Sequence, residues 1–427
     1  MTSVRSTTRR NFLKTTLGAA TLVSLGPAAP GFLCRAAMAE APQRADRDTI
    51  LVVVQLAGGN DGLNTVVPYE NDLYAANRRT LRLTASEVLK IGDSLGLHPQ
   101  MKAFEALYKE GYLTVVQGVG YPNPVGGHAE SMHMWQTGRP HEVNCQVGWV
   151  GRVVDQVADA DRADVPALFV GQINRPLTLN AQRANVPAVG SPAECLLHSP
   201  PGPLSAPEHR RRLDALAELP RPATARPLEA FLQQGTLAAC AGNRRIEAAA
   251  QAQASGGAGA YPDLELAHMF RLVAQLIRAD LGIRIFCTEL GGEEPGGFDN
   301  HAGQRDNHAA LLHQLSESVA AFLHDLKRDN LLDRVLLFTF SEFGRTLYEN
   351  GRRGTDHGSA APMFLAGGKL KGGLVGAHPS LTVLENGGPQ HHTDFRRVYA
   401  TALDRWLGWD SQPVLGAKFE PLDVLKA

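Results

Sequence analysis

Cysteine pairs at metal-finger spacing are missing from this chain. Its five cysteines, Cys34, Cys145, Cys195, Cys240 and Cys287, form no Cys-x-x-Cys pattern, which argues against a zinc–thiolate site. Charge of one sign is missing as well: 42 Lys and Arg face 43 Asp and Glu, a net of −1. Such a balance creates no field for nucleic acid or an anionic membrane, and no basic stretch is interleaved with aromatics. Beyond the N-terminal leader, no apolar run reaches the roughly 18 residues of a membrane-spanning helix, so stable membrane insertion is not expected. The glycines of Ala57–Gly62 are not followed by Gly-Lys-Ser/Thr, which excludes a phosphate loop. No internal repeat is found.

What is present begins with a leader. Thr8-Arg9-Arg10-Asn11-Phe12-Leu13-Lys14 precedes the apolar stretch Thr16–Leu25 and the small-x-small site Ala37-Met38-Ala39. That order reads as a twin-arginine signal peptide over 1–39, with a mature domain over 40–427 starting near Glu40. The twin-arginine translocation machinery is thus an expected partner, and the destination is the periplasm or the outside. Leu33 before Cys34 makes a poor lipoprotein site, so no lipid anchor is expected. Cleavage removes Cys34. The other cysteines leave one or two disulfides, or buried free thiols, open.

Buried strands are expected at Thr49–Leu56, Leu113–Gln117, Ala167–Val170, Ile283–Cys287, Val335–Phe340 and Pro362–Ala366, all short and mainly apolar. Helical spacing marks Met101–Lys109, a segment starting near His128, Leu264–Ala279, a long segment ending near Arg328, and Thr393–Leu407. Residues from about 171 to 261, rich in Pro, Ala and Gln, read as an insertion or cap. The alternation predicts an α/β fold, a mostly parallel sheet sandwiched by helices.

Four expected strands are followed by acids or histidines: Asp61, His128, Asp299 with His301, and Glu342. Asp356-His357, in an expected polar loop, adds another group. Each group alone could sit in a plain turn. Together, at the carboxyl edge where open α/β sheets bind ligands, they point to a divalent metal held by oxygen and imidazole. Zinc comes first, with manganese, magnesium and calcium as alternatives.

The stretches LAGGNDGLNTVVP, GHAESMHMWQTGRP, GGFDNHAGQ, SEFGRT and TDHGSAAP resemble the DUF1501 family. That family resembles in turn the alkaline phosphatase and sulfatase superfamily. The resemblance implies an alkaline-phosphatase-like fold from roughly Thr49 to Leu407. It implies that Asp61 and Glu342 hold one metal, and that Asp299, His301 and His357 hold another. His128-x-x-Ser131 with Thr137-Gly138-Arg139 resembles the sulfatase signature, which puts His128 at the nucleophile's place and leaves Ser131 as a fallback. Three positions depart from the pattern. His128 replaces Ser, Thr or Cys, Phe343 stands where a ligand is usual, and Met132 replaces an arginine.

Two functions are implied. One is an exported metal-dependent hydrolase of phosphate or sulfate esters, acting on a small-molecule or glycan ester. In it His128 attacks, or a metal-activated water does while His128 serves as base or ligand. The other is a non-catalytic metal-binding module that recognises a glycan or a protein.

Overall fold

The computed structural model describes residues 49–140, 142–158, 167–171, 175–184, 186–191, 261–292 and 296–426. The leader expected over 1–39 and most of the expected insertion lie outside these residues. At the centre stands β1 (Ile50–Ala57), buried at every position. It pairs in parallel with β5 (Ile285–Gly291) on one side and β6 (Val335–Phe340) on the other. The remaining strands of this sheet are β2 (Leu113–Gly120), β3 (Ala167–Val170), β4 (Ala188–Val189), β9 (Ala361–Gly367), β10 (Gly373–Val375) and β11 (Thr393–Asp394). The order is β10–β2–β9–β6–β1–β5–β3–β4, with β11 also on β2, making nine strands. Only β9 runs antiparallel among the described strands of this sheet. The reason is the connection: the hairpin β7 (Arg345–Glu349) and β8 (Thr355–His357) follows β6. With no helical crossover, the chain re-enters the sheet pointing backwards.

Side chains alternate across β1. Val52, Val54 and Leu56 face α1 (Lys102–Lys109), α4 (Glu265–Ala279) and α5 (Gln304–Arg328), against Phe104, Phe270, Val273, Leu315 and Val319. Leu51 and Val53 face the other layer, α2 (His128–Thr137), α3 (Trp149–Ala158) and α6 (Phe395–Ala400), through Trp135, Trp149, Val153 and Tyr399. Both faces are covered, as a parallel sheet requires.

Three expectations are corrected. Thr355–His357 is a strand rather than a loop, paired so that Arg345 stands opposite His357. Within the expected insertion, Ala188–Val189 adds a strand to the sheet's edge. The helix expected over Thr393–Leu407 starts only at Phe395, capped by Asp394, and becomes a π-helix from Thr401. There the Thr401 hydroxyl bonds the Arg397 carbonyl at 2.7 Å and accepts from Leu422 N–H at 2.8 Å, a side-chain competition with the helical ladder. Cys145 and Cys287 are free; Cys34, Cys195 and Cys240 lie outside the described residues.

Candidate metal centre

β1, β2, β5 and β6 end at one edge, and the loops leaving them deliver the site. His128 is the first residue of α2. Asp299 and His301 lie in the turn between β5 and α5, where Asn307 Nδ2 donates to the Gly297 carbonyl at 2.7 Å. Glu342 comes two residues after β6, and His357 closes β8.

Three imidazoles meet around the Asp299 carboxylate. His128 Nε2 is 3.3 Å from Oδ2; His301 Nε2 and His357 Nε2 are 3.0 and 3.3 Å from Oδ1. His301 and His357 bring their Nε2 atoms to 2.9 Å of each other. Each ring is fixed from behind. His357 Nδ1 lies 2.5 Å from the Gly126 carbonyl, which can only accept, so that nitrogen carries the proton. His301 Nδ1 faces Asp356 Oδ1 at 2.9 Å, and His128 Nδ1 faces Glu342 Oε1 at 3.1 Å. Rings held this way all turn Nε2 toward Asp299. His128 Nε2 is buried with no hydrogen-bond partner. Unprotonated nitrogens and a carboxylate this close repel unless a cation lies among them. Two donors about 2.0–2.1 Å from a tetrahedral ion stand roughly 3.3 Å apart, close to the spacings found. Donor atoms of His128, Asp299 and His357 all fall within 4.8 Å of one another, a group that His301 adjoins through Asp299 and His357 without belonging to it. The residues present fit a divalent metal.

The electrostatics differ from group to group: Asp299 and His357 favour the forms a cation needs, whereas His128 between two carboxylates favours a positive charge at its own ring. Burial pushes the Asp299 pKa up, but the Arg345 hydrogen bond and charge outweigh it and leave it lowered. The Glu342 hydrogen bond raises the His128 pKa, and burial lowers that of His357. Asp356 is lowered, first by its bond to His301. Phe343 stacks on His357 with centroids 4.4 Å apart. It forms an apolar wall that holds the ring where the sequence suggested a lost ligand.

Three expected site residues stand elsewhere. Asp61, expected as a ligand, is 2 % exposed and engaged by other side chains. Arg78 takes both its oxygens in a fork, and Gln304 donates to one of them. Glu342, also expected as a ligand, stands one layer back: Oε1 accepts from Gly58 N–H at 2.8 Å as well as facing His128. Ser131, expected as a fallback nucleophile, is fully buried, with its hydroxyl donating to the Glu342 carbonyl at 2.6 Å. An attacking hydroxyl needs access that Ser131 lacks.

Arg345 was not foreseen as a site residue, although it lies in the SEFGRT stretch. Buried at 2 % exposure, it donates to Asp299 Oδ1 at 2.7 Å and to the carbonyls of Gly58, Gly59, Phe298 and Thr355. Nothing in a sequence distinguishes it from a surface arginine beside a turn. The same holds for Arg78, the buried partner of Asp61.

The family model described as "Protein of unknown function (DUF1501)" matches residues 48–416. None of the curated proteins matches the chain. Similar solved structures include the C-terminal periplasmic domain of EptC from Escherichia coli in complex with Zn. It is 12% identical with a TM-score of 0.34, over 76% of this chain and 74% of that one. Another is the lipoteichoic acid synthase LtaP from Listeria monocytogenes, 8% identical with a TM-score of 0.37, over 92% of this chain and 80% of that one.

Proposed function

The chain belongs to the DUF1501 family, and from that premise we propose that it is an exported, metal-dependent hydrolase of phosphate or sulfate esters. The observation that carries this reading is the convergence of His128, His301 and His357 on Asp299, with every outer nitrogen anchored. Metal-ligating histidines are held in this way in metalloenzymes. Export follows from the twin-arginine pattern over 1–39, and no helix among the described residues is long and apolar enough to cross a membrane.

Asp299 and the three imidazoles would hold the ion, with zinc favoured by the nitrogen-rich donor set. When bound, the ion supplies Lewis-acid polarisation of the ester and charge for its developing oxyanion. The chain does the rest. Glu342 keeps the proton on His128 Nδ1, Asp356 does the same for His301, and Arg345 fixes the Asp299 carboxylate. Phe343 keeps water from one side of His357. With Ser131 closed off, the chain brings no hydroxyl nucleophile to this edge among the residues singled out, so the attacking group is water. The same fact favours the second reading, a metal-binding module without turnover.

The test is metal analysis of the purified chain, then a screen of aryl phosphate monoesters, diesters and sulfates. Stoichiometric metal, with ester turnover lost in Asp299→Ala and His357→Ala, is the expected result. Metal without turnover on any ester would favour the binding module. A chain that takes up no metal, its histidines charged by protons alone, would overturn both.

A further inference from the structure

We infer that this centre holds one divalent ion rather than two, and that the Arg345 guanidinium is the fixed second positive charge of the site. The inference rests on the metal-centre reading above and bears on the ion count and the charge beside it.

A second ion would need carboxylates of its own; Asp356 stands behind His301 with Oδ1 taken by His301 and Asn350, and the two buried carboxylates nearby are committed. Asp61 gives both oxygens to Arg78. Glu342 Oε1 is taken by Gly58 N–H and His128, and its Oε2 lies 3.1 Å from the Ser341 hydroxyl. The end of β1 cannot supply a ligand either. A Cβ at Gly58 would lie 2.4 Å from the Asp299 nitrogen, and one at Gly59 2.2 Å from the Phe343 ring. No side chain fits at either position.

What stands at the end of β1 instead is a guanidinium. Its nitrogens are surrounded by four backbone carbonyls and one carboxylate oxygen, an all-oxygen shell of the kind that surrounds a hard cation. The planar fork suits this shell, because its donors are fixed in direction. Asp299 Oδ1 is shared between this charge and the imidazoles of His301 and His357. The carboxylate would therefore be shared between a permanent organic cation and the exchangeable ion. Buried as it is, Arg345 does not reach substrate. It acts as a positioning residue, holding Asp299 oriented toward the imidazoles.

The test uses the purified full chain, stripped with chelator and titrated with Co²⁺ and with Zn²⁺. Bound metal is counted by mass spectrometry and followed by the cobalt ligand-field spectrum. The expected result is one ion per chain and a spectrum that saturates at one equivalent. Asp61→Asn and Glu342→Gln should keep that count, Glu342→Gln with affinity about 10–100-fold weaker, as for other outer partners of a ligand. Asp299→Asn should lose the ion. Two ions in the unaltered chain, one of them lost in Asp61→Asn or Glu342→Gln, would overturn the single-ion assignment while leaving the hydrolase reading in place. Arg345→Lys keeps the charge but not the fork. It should bind the same single ion at least 10-fold more weakly, with folding checked by melting. Unchanged affinity in that variant would overturn the role given to Arg345. No ion in the unaltered chain would overturn this inference and the metal-dependent hydrolase together, whereas one ion without ester turnover supports the inference and overturns only the hydrolase.

Discussion

At the scale of single residues, the most informative acid is one outside the centre. Glu289 on β5 accepts from the Gln55 amide, whose oxygen accepts from Gln136 at 2.7 Å. Burial, and then the charge of Glu342, push its pKa up to about 7 from 4.5. The folded state therefore holds this proton more tightly than the unfolded chain. The stability it brings is present below about 4.5 and is lost as pH rises through 7. Glu289→Gln mimics the protonated form and keeps an acceptor for Gln55. It should be more stable than the unaltered chain by on the order of 3 kcal/mol at pH 8, and by less than about 1 kcal/mol at pH 5. Urea unfolding at the two pH values measures this; an equal difference at both would show that Glu289 does not titrate in that range. Legibility at this scale was uneven. Asp299, His301 and His357, which the structure brings together, stood out in the sequence because acid and imidazole after a strand or beside a turn carry recognisable chemistry. The positions of Asp61 and Glu342 could not, because their tasks are set by Arg78 and His128, 17 and 214 residues away in sequence. A carboxylate reads the same whether it faces a metal or a guanidinium.

At the scale of elements, the site depends on how closely β1 approaches the turn before α5. Gly58 has φ +110°, and the turn's own backbone leaves no room for a Cβ there. Its N–H holds Glu342, and its carbonyl holds Arg345. Gly58→Ala should push the Asp299 turn outward, weakening metal binding by 10-fold or more and costing at least about 1–3 kcal/mol of stability from strain and overpacking. Metal titration together with urea unfolding checks both parts. A variant that binds metal like the unaltered chain would show that the approach of β1 does not set the Asp299 geometry. The strands β1, β2, β3, β5, β6 and β9 were readable because each is a short, mainly apolar and mainly buried run; the edge strands β4, β10 and β11 are two or three residues long and were not. The hairpin β7–β8 was not. Thr355–His357 is three residues of mixed polarity, too short for alternation to register, and its pairing is set by the opposite strand. The direction of β9 was equally hidden, since apolar runs look alike in either direction.

At the scale of the molecule, the donor set joins parts of the chain that the sheet alone does not tie together. His128 opens a helix, Asp299 and His301 sit in a loop, and His357 ends a hairpin; the covered sheet fixes only where these segments begin. An ion bound to all of them adds a constraint across the whole carboxyl edge. Any ligand that binds only the folded state stabilises it by mass action, about 2.7 kcal/mol when free metal is 100 times Kd. Zinc at that excess should therefore raise the melting temperature by a few degrees, roughly the shift such a free energy produces in a large domain, and chelator should reverse it. Asp299→Asn should melt at one temperature with or without zinc, because the removed charge is the one all three imidazoles face. Glu342→Gln should keep the shift but need more zinc to reach it, since it removes only the anchor of one ring. The two variants separate a ligand from an anchor by thermodynamics alone, without any substrate. If Asp299→Asn gained as much from zinc as the unaltered chain, the stabilising ion would be bound elsewhere, and the carboxyl edge would lose its place as the metal centre.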